Sequence, residues 1–230
     1  AIKGKLTGDL PASGELTPDL LAEALGRSPS MVMQPVEDLA GRPPQLCKGC
    51  PHADRFKAIV EATAGYANPI LFSDIGCYTL GVLPPYRAVH SCVDMGASIA
   101  MAHWAAQAGD RPVICTIGDS TFSHTGMTPL NGAVRSNADK NVFILDNATV
   151  AMTGAQDSMT SGEQLLDVLR GLGVREDHLH IMDPMPQKHG ENVELIKKEI
   201  EYPGLSVMIP TRACIHLKRT QRQSAAAVAV

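Results

Sequence analysis

The chain has 230 residues, of which 44% are hydrophobic and 19% charged, a composition that is typical of a globular domain and excludes a largely disordered chain. The net charge of −4 argues against nucleic acid as a partner, although residues 218–222 form a short basic tail. No apolar run approaches the ~20 residues that span a bilayer, and the N-terminus carries no apolar signal core, so we expect no membrane span and a cytoplasmic protein.

The distribution of glycine, proline and apolar residues predicts three regions along the chain. Residues 1–44 are rich in turn-forming residues and predict a linker or N-terminal extension, with one short helix at 18–25 that Thr17 caps. Residues 45–215 have the regular pattern of one folded domain. Residues 216–230 are expected to form a C-terminal tail, whose low-complexity end at 224–230 is expected to fray.

Short apolar strands alternate with helices throughout the central region. Helices are predicted at 51–64, 95–108, 127–137, 163–172 and 191–201, and strands at 70–73, 113–117, 142–145, 180–182 and 205–209. This alternation predicts an α/β fold, with a doubly wound, mostly parallel sheet that helices cover on both faces.

Two polar side chains directly follow successive apolar strands. Asp119 comes after the strand at 113–117, and Asn147 comes after the strand at 142–145. The carboxyl ends of parallel strands share one edge of the sheet, where ligands bind. The Asp119 carboxylate, the Asn147 amide oxygen and a backbone carbonyl near Thr149 would offer oxygen ligands to a hard cation such as Mg²⁺.

The six cysteines are expected to be reduced, because a domain of this size needs no disulfide staples. Cys47 and Cys50 form a CxxC sequence at the start of a predicted helix, and Cys77 follows the next strand. Cys214, just past the last strand, lies on the side where parallel strands end and is the best candidate for a fourth soft-metal ligand. Four thiolates suit zinc as well as an iron–sulfur cluster, so both remain open on the residues alone. The other two cysteines are expected to pack as small apolar side chains: Cys92 and Cys115.

A Gly-Asp-Ser sequence at 118–120, followed 28 residues after its Asp by Asn147, is similar to the thiamine diphosphate motif. The flanking sequences are DIGCYTLG, MGASI, GDSTFSHTG and DNATVAMTGAQ. Together they resemble the thiamine-diphosphate-binding part of the alpha subunit of the indolepyruvate ferredoxin oxidoreductases, within the wider 2-oxoacid:ferredoxin oxidoreductases, over residues 4–214. This resemblance implies a sheet of the type that binds the diphosphate of the cofactor.

The resemblance implies three cofactors: thiamine diphosphate, a Mg²⁺ ion held by Asp119, Asn147 and Thr149, and a proximal [4Fe-4S] cluster. The cluster would bind to four cysteines: Cys47, Cys50, Cys77 and Cys214. Further cofactor contacts are expected at Cys50, His52, Cys77, Gly96, Gly118, Ser120, Met152 and Thr153.

Two histidines are candidate catalytic residues. His52 matches the histidine of the family's GCPH sequence and would contact the cofactor, with a surface role in the first turn of a helix as the alternative. His124 would face the reacting carbon, or serve only as a capping or loop residue. Gly96, at the head of a predicted helix, would let backbone N–H groups bind phosphate.

Two positions depart from the family's motifs. Ser120 stands where the thiamine diphosphate motif usually has glycine, and the family's TGGQ is TGAQ at 153–156. Ala155 therefore puts a positive φ angle at this position in doubt.

The activity implied by the resemblance is oxidative decarboxylation of a 2-oxo acid, such as indolepyruvate, to acyl-CoA and CO₂, with electrons passing through the cluster to ferredoxin or a ferredoxin-like subunit. The glutamate that activates thiamine would come from a second subunit or domain carrying the pyrimidine-binding half-site. Two alternatives stand beside it. A non-oxidative thiamine-dependent decarboxylase subunit would leave the four cysteines unexplained. A non-catalytic electron-transfer module that binds metal is favoured by Ser120 and Ala155.

Overall fold

The computed structural model describes residues 2–28, 40–41 and 43–217, and the chain divides into two compact units, Ala1–Pro43 and Pro44–Val230. In the first unit, helix α1 spans Pro18–Ala24. The Thr17 hydroxyl oxygen accepts the Leu20 N–H at 3.3 Å, so the predicted helix and its N-cap are confirmed. The basic sequence at 218–222 and the rest of the predicted tail beyond it lie outside the described residues.

The second unit alternates strands and helices as the sequence predicts. Its helices are α2 (Pro51–Thr63), α3 (Ala97–Gln107), α4 (Asp119–Thr121), α5 (Met127–Ser136), α6 (Gly162–Gly171) and α7 (His189–Glu201). Its strands are β1 (Ile70–Ser73), β2 (Ser91–Cys92), β3 (Val113–Gly118), β4 (Lys140–Leu145), β5 (Thr149–Val150), β6 (Gln156–Asp157), β7 (Leu179–Met182) and β8 (Leu205–Pro210). Six strands form one parallel sheet in the order β2-β1-β3-β4-β8-β7, which confirms the predicted fold class.

The central strands β3, β4 and β8 are buried along their whole length, because helices cover both faces of the sheet. One apolar core contains side chains of α3, α5 and α6, and the other contains side chains of α2 and α7. Each fully buried Leu, Ile or Phe side chain stabilises such a core by ~1.5–3 kcal/mol. The two cores fix the strand ends from which the candidate site is built.

The structure differs from the predicted elements mainly around the strand ends. The helix predicted at 127–137 is preceded by α4 and a π-helical segment, Phe122–Gly126, so the chain is already helical from Asp119. Strand β2, a 3₁₀ helix at Cys77–Val82 and the β5–β6 hairpin were not predicted. These segments are too short to show hydrophobic periodicity.

Candidate functional site

Asp119 occupies the first residue after β3, and its side chain joins two loops. One carboxylate oxygen accepts the Ser120 N–H at 2.7 Å, and the other accepts the Ala148 N–H at 3.0 Å. The loop after β4 is therefore held against the loop after β3. Burial raises the pKa of Asp119 to about 6 against the opposing effect of the Ser120 amide, and the nearby Asp146 carboxylate adds to the rise. A buried acid without a cationic side-chain partner among its hydrogen bonds is suited to a metal ion.

Asn147 follows β4 across the same crevice. Its Oδ1 accepts the Thr149 N–H at 3.2 Å, and Ala148 between them adopts a positive φ of 61° that turns the backbone. The Thr149 hydroxyl donates to the Gln156 carbonyl at 2.8 Å, within the β5–β6 hairpin. Asp119, Asn147 and Thr149 all line one cleft of about 140 Å³. The structure therefore brings the three predicted Mg²⁺ ligands together.

Most of the other predicted cofactor contacts line the same cleft. They are His52, Cys77, Gly118, Ser120, Met152 and Thr153. Gly96 is not in the lining, but its neighbour Met95 is, and Gly96 caps α3 with a φ of 88°. His124 is exposed in the π-helical segment and lines none of the clefts described for this part of the chain.

The four predicted cluster cysteines line a second cavity, of about 210 Å³. They are Cys47, Cys50, Cys77 and Cys214. Burial raises the pKa of the Cys77 thiol, and the neighbouring sulfurs add to that rise, which reflects how near the four groups are to one another. His216 also lines the cavity, with its Nε2 3.4 Å from Cys47 Sγ. Cys115 is fully buried within β3 and Cys92 is half-buried in β2, away from this lining.

The two cavities share one wall. The residues that line both are His52, Cys77, Asn147, Ala151 and Met152. The Asn147 carbonyl also accepts the Cys214 N–H at 3.2 Å, which ties the loop after β8 to the loop after β4. The cavity that the four cysteines line, called the thiol cavity below, therefore adjoins the cleft that contains Asp119.

Arg55, one turn along α2 from His52, is a site residue that the sequence did not reveal. It is 3% exposed, and its guanidinium donates to the carbonyls of Asp146 at 2.9 Å and Pro210 at 2.6 Å. It also lies 2.9 Å from His52 Nδ1. An arginine can only donate, so Nδ1 accepts and the neutral ring carries its proton on Nε2. Burial and the Arg55 charge lower the pKa of His52 well below its usual value, which keeps this ring neutral.

Tyr78, which lines the cleft, and its hydrogen-bond partner Asp74 are a second part of the site that was not predicted. Asp74 is fully buried and accepts hydrogen bonds from the hydroxyls of Tyr78 and of Ser98, the latter at 2.7 Å. Burial raises the pKa of Asp74 to about 6, against the opposing effect of these hydrogen bonds. Tyr78 lines the cleft. Asp74 directly follows β1, so the strand-end argument that identified Asp119 could have found it.

Comparison with known proteins identifies the class to which this fold corresponds. Residues 74–183 match a family described as "Thiamine pyrophosphate enzyme, C-terminal TPP binding domain". The fold is similar to a 2-oxoglutarate:ferredoxin oxidoreductase from Magnetococcus marinus, with a TM-score of 0.60 and 19% identity over 76% of this chain and 66% of that one. It is also similar to a thiamine diphosphate-dependent 4-hydroxybenzoylformate decarboxylase from Rhodococcus jostii, with a TM-score of 0.53 and 17% identity over 85% of this chain and 39% of that one.

The particular relatives are indolepyruvate oxidoreductase subunits. The chain is 34% identical to subunit IorA of Archaeoglobus fulgidus over 93% of its length, and 39% identical to IorA of Pyrococcus horikoshii over 75%. It spans 37% and 29% of the length of these two relatives. The predicted resemblance to the thiamine-diphosphate-binding part of this subunit is therefore confirmed. Among the described residues, no helix is long and apolar enough to cross a membrane.

Proposed function

We propose that this chain is the cofactor-binding part of a 2-oxoacid:ferredoxin oxidoreductase of the indolepyruvate type. The enzyme would oxidise and decarboxylate an aryl pyruvate to acyl-CoA and CO₂, and electrons would pass through a [4Fe-4S] cluster to ferredoxin. The observation that carries this proposal is the wall shared by the two cavities. An oxidative decarboxylase needs an electron acceptor beside the carbon that is being oxidised, and a cavity of four cysteines adjoins the cleft that contains Asp119.

The cleft fits Mg²⁺ and the diphosphate of thiamine diphosphate. Asp119, Asn147 and Thr149 would hold the metal, because they offer the hard oxygen ligands that Mg²⁺ prefers and line one surface. The hydrogen-bond partners that the described residues offer the buried Asp119 carboxylate include amide N–H groups but no cationic side chain, so a bound divalent ion would stabilise its charged form. Bound thiamine diphosphate supplies the carbanion chemistry that cleaves the bond beside a 2-oxo group.

The thiol cavity offers four thiolate ligands, which suit an iron–sulfur cluster as well as zinc. Tetrahedral Zn–S bonds of about 2.3 Å would hold the sulfur atoms about 3.8 Å apart. Among the residues at 43–217, the four cysteines do not form a group of three whose sulfur atoms lie within 4.8 Å of one another. An iron–sulfur cluster, unlike zinc, can accept the electrons that the proposed reaction releases.

His52 would act at the shared wall as a neutral hydrogen-bond donor. Arg55 fixes the proton on Nε2 because Nδ1 accepts from the guanidinium at 2.9 Å. A neutral imidazole can donate to an oxygen that gains negative charge without adding a full positive charge beside the thiolates. Arg55 would therefore be a positioning residue, held by the carbonyls of Asp146 and Pro210.

A second domain or subunit would complete the cleft. Three apolar side chains of its lining are substantially exposed: Ile75 by 41%, Met95 by 44% and Met152 by 57%. Exposed apolar groups around a cleft are typical of a surface that another domain covers. We propose that this partner brings the pyrimidine-binding half-site and the activating glutamate. The assignment of indolepyruvate as substrate rests on the names of the relatives, and the assignment of coenzyme A and ferredoxin rests on the resemblance of the sequence motifs to those of the family.

Analysis of the anaerobically purified chain tests the cofactor assignments. We expect iron and acid-labile sulfide in the wild type, and loss of both in Cys77→Ser and Cys214→Ser. Cys92→Ser is the matched control, because Cys92 is a half-buried thiol outside the cavity. Zinc without sulfide, or full iron content in the Cys77 and Cys214 variants, would contradict the cluster assignment.

Activity of the chain with its partner domain or subunit separates the catalytic alternatives. The proposal requires a 2-oxo acid to reduce an electron-accepting dye and to form acyl-CoA when coenzyme A is added. A non-oxidative decarboxylase would instead release the aldehyde and reduce nothing, and an electron-transfer module would release no CO₂. Thiamine diphosphate and Mg²⁺ should bind weakly to the chain alone, because the rings would stay hydrated, and more tightly when the partner is added.

A further inference from the structure

Three potential metal ligands meet at the edge of the sheet, near the amino-terminal ends of β7 and β8. His178 Nδ1 lies 2.8 Å from one carboxylate oxygen of Glu199, and His180 Nε2 lies 2.9 Å from the other. The ligand atoms of all three residues lie within 4.8 Å of one another. The cleft that contains Asp119 is at the carboxyl ends of the strands, so this group is at the opposite end of the sheet.

We propose that His178, His180 and Glu199 form a zinc site that is separate from the thiamine and cluster sites. Two imidazoles and one carboxylate make a ligand set that zinc binds well, whereas Mg²⁺ and Ca²⁺ prefer oxygen alone. Tetrahedral bonds of about 2.0–2.1 Å would hold the three ligand atoms about 3.3 Å apart. The separations of 2.8 and 2.9 Å join the two histidines to different oxygens of Glu199, and all three ligand atoms lie within 4.8 Å, so a zinc ion needs small shifts of these side chains to bind them together.

The surroundings of His178 match those of a metal-binding histidine. Its other ring nitrogen, Nε2, lies 3.7 Å from Asp177 Oδ2, and a ligating histidine commonly directs its second nitrogen at a carboxylate. Tyr202 stacks on the ring at a centroid distance of 3.4 Å with an interplanar angle of 12°, which fixes its orientation. When Nδ1 gives its lone pair to the metal, the proton moves to Nε2, and Asp177, which Arg175 binds at 2.6 Å, would have to close the 3.7 Å separation to accept a hydrogen bond from it.

The burial of the three side chains leaves a route for an ion. Glu199 is fully buried, and the Ser206 hydroxyl donates to its Oε2 at 2.6 Å, which holds the carboxylate in place. The side chains of His178 and His180 are 14% and 21% exposed, so a zinc ion can approach from solvent on the histidine side. The ion would join β7, through His180, to α7, through Glu199.

The simpler explanation is that the two histidines only satisfy the buried carboxylate by hydrogen bonding. Zinc binding separates the two explanations, because a hydrogen-bonded network alone takes up no metal. After removal of metals with a chelator, the full chain is titrated with ZnCl₂ and bound zinc is measured. Wild type should bind one zinc equivalent more than His178→Asn/His180→Asn. His189→Asn is the matched control, because His189 on α7 lies 2.7 Å from Glu61 Oε2, in a hydrogen bond outside this group.

Cobalt distinguishes this site from the cysteine cavity. Co²⁺ bound to thiolates gives sulfur-to-metal charge-transfer absorption, which should be equal in the wild type and the double variant. The visible bands of Co²⁺ bound by nitrogen and oxygen should be lost in the double variant only. Asp177→Asn should weaken zinc binding about tenfold, since loss of an outer-shell partner costs 10–100-fold in affinity.

Equal zinc uptake by the wild type and the double variant would overturn the proposal. If the double variant does not fold, as judged by circular dichroism, His180→Asn alone makes the decision, because its side chain is partly exposed. Zinc should then bind at least about tenfold more weakly than to the wild type. Unchanged affinity in that variant would overturn the proposal as well. Zinc should also raise the thermal midpoint of the wild type and of His189→Asn, because a ligand that binds only the folded state stabilises it.

Discussion

Lys140, at the start of β4, carries a charge into the core of the sheet. Its side chain is 1% exposed, and its Nζ donates to the Ile99 carbonyl in α3 at 2.7 Å. Burial lowers the pKa of Lys140 from 10.5 to about 8, although the neighbouring Cys115 opposes this change. At about 1.4 kcal/mol for each pKa unit, the buried charge costs the folded state ~3 kcal/mol at neutral pH.

Replacing Lys140 with Met removes the charge and keeps an apolar chain of similar length. Between pH 8 and 10.5 the unfolded wild type holds the lysine proton and the folded wild type does not, so its free energy of unfolding rises with pH. The variant lacks this rise. It should therefore be more stable than the wild type by up to ~3 kcal/mol at pH 7, and this advantage should nearly vanish at pH 10.5. The Ile99 carbonyl keeps the partner that its helix provides four residues on.

Urea unfolding, followed by far-UV circular dichroism at steps from pH 7 to 10.5, measures this difference. Lys198→Met is the control, because Lys198 is exposed on α7 and its replacement should leave the pH profile unchanged. If the difference in free energy of unfolding between Lys140→Met and the wild type stays constant across the pH range, the argument from the buried charge is refuted.

Three further substitutions test the candidate site and its loops. Asp119→Asn should leave the fold intact and reduce the Mg²⁺-dependent affinity for thiamine diphosphate at least tenfold, a loss of about 1.4 kcal/mol or more of binding free energy, as measured by calorimetry. Unchanged affinity would contradict the metal assignment. Gly96→Ala should lower the free energy of unfolding by more than ~1 kcal/mol, because φ is +88° and the new Cβ would lie 1.8 Å from Thr125 Oγ1. Equal urea midpoints for this variant and the wild type would contradict the prediction. Ala155→Gly should raise the free energy of unfolding by up to ~1 kcal/mol, because the φ of 63° at Ala155 strains a residue that has a Cβ atom. A variant less stable than the wild type would show that this backbone strain is negligible.

The strand-end argument found Asp119 and Asn147 because a sharp change from apolar to polar residues is visible in the sequence. The doubt about a positive φ at Ala155 was wrong, since the backbone takes φ = 63° there despite the Cβ atom. The Gln156 side chain bonds both the hydroxyl and the carbonyl of Thr153, which helps to hold this turn. Local sequence preferences do not report such tertiary restraints.

Arg55 shows what sequence reasoning could not reach. An arginine in a helix normally lies on the solvent face, and nothing in the sequence around 52–55 marks this one as buried. Its partners, the carbonyls of Asp146 and Pro210, are 91 and 155 residues away along the chain. The same limit applies to the zinc proposal, because Glu199 comes from a helix and His178 and His180 from around an edge strand. Only the packing of α7 on the sheet brings these residues together.

The strand order has a consequence for folding during synthesis. β8 lies between β4 and β7, yet it is the last of the six strands to leave the ribosome. Until it arrives, β4, whose last four residues are apolar, presents an unpaired edge to solvent, and β7 has no neighbour in the sheet. Pairing of Lys140 with Leu205 must then close a long segment of chain, which is a slow step in parallel sheets. A nascent chain paused before residue 205 should therefore be prone to aggregation and sensitive to chaperones, even though its apolar core on the α3 side is nearly complete.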